Sequence, residues 1–179
     1  MSSKRGRRSI KPTLKMLATR WWPVAAWLIV LRIESSDFAS SRNTFGVLFR
    51  TITAIFRSMS PESVETINVI LRKTGHFFGY AILSFFVFRA LKYTQYDRLR
   101  LVLHRRWGIF FRDLWRAEWA VIALLFTIIA ASFDELHQAF IPSRTGRWQD
   151  VALDTTGAIA MQLLLYARAS HAIALQRKH

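Results

Sequence analysis

Two strongly apolar runs, Trp119–Phe133 and Val151–Tyr166, flank a short stretch crowded with acids, bases, an amide and a histidine. Two further runs, Trp21–Leu31 and His76–Leu91, precede them. Crossing a bilayer takes about 20 residues of helix. The last two runs reach that length with their flanks. The first does so by extending back through Met16–Thr19, with Arg20 and Arg32 snorkelling to the interface. The expected fold is therefore all-α: a bundle of four transmembrane helices. The charge pattern around the first run, Trp21–Leu31, also fits a signal peptide with a short apolar core. No convincing small-x-small cleavage site follows, so the first run is read as a retained helix.

Composition supports a membrane protein. The chain has 179 residues, of which 52% are hydrophobic, including 14 Phe and 7 Trp. A soluble domain of this size rarely needs so many bulky apolar side chains. A formal net charge of +15 fits either nucleic acid or the anionic surface of a membrane. The apolar runs favour the membrane, and no nucleic-acid partner is expected. Cysteine is absent, which excludes disulfides and thiolate metal sites.

The chain divides into a basic arm (1–20), a transmembrane domain (21–170, with its motif-bearing core at 64–166) and a short tail (171–179). In the arm, Lys4, Arg5, Arg7, Arg8, Lys11, Lys15 and Arg20 are unopposed by any acid. Phe45, Leu48, Phe49, Ile52, Ile55, Phe56 and Met59 repeat at helical spacing, with Arg50 and Arg57 opposite. That pattern predicts an amphipathic helix in the first extracytoplasmic loop, lying on the membrane surface or on the bundle. Ser60-Pro61-Glu62 reads as a helix start, with Ser as N-cap, Pro at the first turn and an acid near the positive dipole end. Gly75 and Gly79 form a G-x-x-x-G pair that permits close helix approach in lipid. The loop 89–116 is basic and aromatic together, and is expected to contact anionic membrane lipids. By the positive-inside rule the arm, this loop and the tail are cytoplasmic. The expected location is the cell (inner) membrane, with both termini inside.

The candidate site lies in Ser132–Gly157. Glu135 and Gln138 are three apart and share a helix face. Asp134 pairs with His137 and Gln138 on a partly overlapping face. Pro142, Ser143, Thr145 and Gly146 make a turn. Asp150, Asp154 and Gly157 then fall on one stripe of the next helix. Asp154 has apolar neighbours on both sides. An ionisable group inside the membrane layer costs about 2.5–3.5 kcal/mol at a helix centre on insertion scales, which makes it a functional hypothesis by default. The blander account is that short loops between spans are polar anyway and that Arg–carboxylate pairs hold turns together.

These residues also resemble a family. D-E-L-H-Q-A-F-I-P-S-R-T-G-R-W-Q-D-V-A-L-D-T-T-G is similar to the signature of VanZ-like membrane proteins: an acid–Glu pair, Gln three residues after the Glu, Phe-x-Pro-x-Arg, a spaced Asp, then a polar residue four on and a Gly. Lys73-Thr-Gly-His76-Phe-Phe-Gly-Tyr80 resembles the family's other motif, a charged residue before His-Phe-x-x-Tyr. The resemblance covers roughly Val64 to Tyr166. One departure is Asp154, where the family usually carries Asn. The resemblance implies a multi-pass protein of the cell envelope with a role like glycopeptide (teicoplanin) resistance.

His76 and Tyr80 are four apart, with Lys73 one turn earlier, and can project toward Glu135, Gln138, Arg144, Asp150 and Asp154. Three uses remain open. His76 or Glu135 would act as general acid or base, which is the reading of an integral-membrane hydrolase or transferase. Arg144 with Lys73 would clamp a phosphate or carboxylate of a lipid-linked ligand, since Arg binds such groups bidentately, with Tyr80, Gln138, Asp150 and Asp154 lining the same site. His76, Glu135, Asp150 and Asp154 would hold a divalent metal, but D-E-L-H-Q has the wrong order for H-E-x-x-H. No metal and no cofactor are assigned from the sequence.

Overall fold

The computed structural model describes residues 14–36, 41–56, 59–103, 115–141 and 146–176. Every regular element among them is a helix: α1 Leu14–Glu34, α2 Ser41–Ile55, α3 Pro61–Leu103, α4 Ala117–Gln138 and α5 Trp148–Gln176. Leu14–Glu34, Pro61–Gln95, Ala117–Gln138 and Trp148–Leu175 are long and apolar enough to cross a membrane. The expected four-span, all-α fold is thus observed, with α2 as the short helix of the first loop.

α3 is the central element and packs against each of the other four helices. It begins at Pro61, where the Ser63 N–H donates to Ser60 Oγ at 3.3 Å, as the Ser-Pro-Glu start predicts. It runs unbroken for 43 residues, from the Ser60-Pro61 start through the span expected at His76–Leu91 and on past it. His76 therefore stands inside a continuous helix, about 22 Å from its start at 1.5 Å per residue. The first residues of the basic stretch after Arg89 are also helix, as a continuation of α3. Residues 104–114 of that stretch lie outside the described residues.

The bundle is inverted relative to a soluble core. Large apolar side chains such as Val121, Leu125, Leu163 and Leu164 point outward, the last two each 62% exposed. The inner stripes are small or polar. On α4 the buried residues Ala120, Ala123, Thr127, Ala131, Asp134 and Gln138 recur every three or four positions. Lipid tails are as apolar as leucine, so helices in a membrane gain most from close backbone approach and from hydrogen bonds between them.

Close approach of one helix to another occurs at three glycines. Gly75 lies against the Glu34 side chain and Gly79 against Leu31, so the G-x-x-x-G pair seats α1 on α3. The Trp27 indole N–H donates to the Gly79 carbonyl at 2.8 Å across the same contact. On α5, Gly157 lies against the backbone of Phe77. α3 and α5 run parallel and in register. His76 stands beside Asp154, and two turns further on Gln162 Nε2 donates to Ser84 Oγ at 2.8 Å.

Candidate functional site

The end of α1, the end of α4, the start of α5 and the His76 region of α3 meet at one end of the bundle. The inner stripe of α4 turns polar there, which buries Asp134, Glu135 and Gln138. The stripe of α5 begins with Asp154, which is 0% exposed. Three carboxylates are therefore buried within a few turns of helix. Such groups need partners.

Asp134 is the hub of one half. Ser35 Oγ donates to Asp134 Oδ2 at 2.5 Å, and Gln138 Nε2 donates to the same oxygen at 2.9 Å. Arg32 stands 3.9 Å from Oδ1. The end of α1 and α4 are thereby tied at one side chain. Tyr80, buried on α3, lines the same polar end of the groove as Asp134.

His76, Glu135 and Asp154 form the other half. His76 Nδ1 is 3.5 Å from Asp154 Oδ1. Neither forms a hydrogen bond among the described residues, and Asp154 Oδ2 is likewise buried without one. Glu135 Oε2 accepts the Arg147 backbone N–H at 2.8 Å, just before α5 begins. A carboxylate suits that position, where the helix dipole is positive. Gly146 packs on the Glu135 carbonyl and on Ala139 and leaves no room for a side chain. One ligand-capable atom from each of His76, Glu135 and Asp154 lies within 4.8 Å of the others. The His76 and Tyr80 rings, stacked at a centroid distance of 6.1 Å, join the two halves.

A groove of about 1030 Å³ leads to this end of the bundle between α1 and α4. Ile29, Phe126, Ile129, Phe133 and Phe140 make its walls apolar, while Arg32, Tyr80, Asp134 and His137 give it a polar end.

Most of the residues singled out in the sequence meet here. His76, Tyr80, Glu135, Gln138 and Asp154 lie in the cluster, and Asp150 is half-buried one turn before Asp154. Gln138 bonds to Asp134 rather than serving Glu135, and His137 turns toward the groove. Lys73 is exposed on α3. Arg144 lies outside the described residues. The sequence reading took Arg32 only as a snorkelling flank of the first span and gave no role to Ser35. Their spacing of three at the end of the first apolar run, which puts them on one face, was the available signal.

A family model described as VanZ/LLP1 matches residues 21–169, from α1 through most of α5. No curated protein and no solved structure matches the chain.

Proposed function

The chain belongs to the VanZ/LLP1 family of membrane proteins, and from that membership we propose that it acts at the cell envelope on an amphipathic, lipid-linked ligand. The ligand's tail lies in the groove between α1 and α4, and its phosphate-bearing head meets Arg32, Tyr80 and Asp134. The observation that carries this reading is the groove itself, apolar along its walls and polar at one end. Its strong cation among the described residues, Arg32, is half-exposed at that end and suits a phosphate, which arginine grips through two prongs. The site is taken to face the outside of the cell (inner) membrane because the basic arm and the stretch after Arg89 belong inside. Through such a ligand the protein alters the response of the envelope to glycopeptides such as teicoplanin.

A second reading is favoured by His76 beside Asp154 with Glu135 close by. A histidine among carboxylates is equipped for general acid–base work, and the protein then acts as a hydrolase or transferase on the same lipid-linked phosphate.

The test is made in cells. Tyr80→Phe and Asp134→Asn keep size and shape but remove the hydroxyl and the charge. Each is expected to abolish the change in glycopeptide susceptibility while the protein accumulates in the membrane at its normal level. Full function in both variants would overturn the reading.

A further inference from the structure

The proposed function uses Arg32, Tyr80 and Asp134. It leaves unexplained why His76 and Asp154 converge beside Glu135 with buried polar atoms unsatisfied. Asp154 is wholly buried, and neither of its oxygens has a hydrogen-bond partner among the described residues. His76 Nδ1 is buried in the same condition, pointing at Asp154 from 3.5 Å. Glu135 uses Oε2 for the Arg147 amide, which leaves Oε1. A buried polar atom without a partner costs about 1–3 kcal/mol, more when charged. Two carboxylates face one imidazole, which concentrates negative charge at this point.

We propose that His76, Glu135 and Asp154 form a binding site for one divalent transition cation of the Zn²⁺ or Mn²⁺ kind. Each side chain offers one ligand atom, and all lie within 4.8 Å of one another. Bonds of about 2.0–2.2 Å set neighbouring ligands roughly 3–4 Å apart, so closure takes a shift of about an ångström. Imidazole with carboxylates suits zinc, manganese or iron, whereas calcium and magnesium prefer oxygen alone. Three protein ligands leave a coordination position open, the arrangement of catalytic rather than structural sites. The ligands come from three helices, α3, α4 and α5, so the cation also bridges the bundle. The α3–α5 pair is preset by the contact of Gly157 with the Phe77 backbone, one residue beyond His76.

The sequence offered these three residues, with Asp150, as possible ligands but no motif to single them out, because they are scattered. His76 lies 59 positions before Glu135, and Asp154 lies 19 after it, so no compact motif arises. The site stands whether or not the groove takes a lipid.

The test uses the full chain in nanodiscs, stripped with a chelator and dialysed against Zn²⁺ or Mn²⁺, with metal content measured by plasma mass spectrometry. Wild type is expected to retain one equivalent per chain of one of these ions. Asp154→Asn, the least disruptive change, is expected to weaken retention by at least about tenfold, and Glu135→Gln likewise. Glu118→Gln, an exposed carboxylate at the far end of α4, is expected to retain the full equivalent. Wild type holding no more metal than Asp154→Asn would overturn the proposal, as would equal loss in Glu118→Gln. Should Asp154→Asn not assemble, His76→Gln takes its place. Failing both, less than one equivalent on wild type is enough to reject the site.

Discussion

Gly157 on α5 lies against the backbone of Phe77 on α3, with no space between them for a Cβ. The obstructing atoms are main chain and cannot swing aside. Gly157→Ala is therefore expected to push the two helices apart and to cost about 1–3 kcal/mol, the range for overpacking a well-packed site. Gly46 on α2 has nothing within 4 Å of its would-be Cβ. Gly46→Ala is expected to be neutral or to stabilise by up to about 1 kcal/mol, since alanine is the better helix former. Thermal unfolding in one fixed detergent compares them. An unchanged midpoint in Gly157→Ala would contradict the close crossing.

Ser35 and Gln138 both donate to Asp134 Oδ2. Ser35→Ala removes the only one of these donors that comes from α1, and is expected to destabilise by about 1–3 kcal/mol. Combined with Asp134→Asn, the losses are expected to fall short of additive, because both changes break one interaction. A double-mutant cycle by thermal unfolding gives the answer. Strict additivity would mean that Ser35 acts elsewhere.

The Trp27 indole hydrogen bond to Gly79 makes a narrower test of how α1 is seated. Trp27→Phe keeps a ring for the edge-to-face contact with Phe86, 5.9 Å away between centroids, and removes only the N–H donor. The expected cost is about 0.5–1.5 kcal/mol, read as a lower unfolding midpoint. No change in midpoint would show that the ring contact alone seats the helix.

Much of this was legible from the residues. Four spans follow from run length, and the start of α3 from Ser60-Pro61-Glu62. The polar loop was found because Asp154 interrupts an apolar run. The reading stopped where partners are set by packing. Asp134 was visible as a neighbour of Gln138, but its role as hub depends on Ser35, 99 positions away. The length of α3 was underestimated at its far end, because the basic stretch after Arg89 reads as a loop although the helix continues to Leu103. Gly157 was placed on the right stripe, yet only the tertiary structure supplies Phe77 as the reason it is glycine.

At the opposite end of the bundle, Arg89, Lys92, Tyr93, Trp115 and Arg168 line a pocket of about 400 Å³. Cations beside aromatic rings suit the headgroup of an anionic lipid. Arg89→Gln with Arg168→Gln is expected to reduce retention of phosphatidylglycerol in native mass spectrometry, and wild-type retention should fall as salt rises. Equal retention by variant and wild type would remove the anionic leaflet as a partner at this pocket.

The membrane orientation is checked with reporters that work only outside the cytoplasm. Fusions after Thr44 and Gly146 are expected to be active and one after Tyr96 inactive, following the positive-inside rule. Activity after Tyr96 would turn the map over and put the site on the inner face.

The central claim is that a lipid-linked phosphate enters between α1 and α4 and meets the buried polar cluster. A photoactivatable polyprenyl phosphate in nanodiscs tests it most directly, with cross-linked peptides mapped by mass spectrometry. Cross-links are expected on Phe126–Phe140 of the groove wall, to be competed by unlabelled polyprenyl phosphate, and to fall at least about tenfold in Arg32→Met, which removes the cation that faces the phosphate. Labelling spread evenly over the lipid-facing side of α5 around Leu163 and Leu164, unchanged by competitor or by Arg32→Met, would contradict the claim.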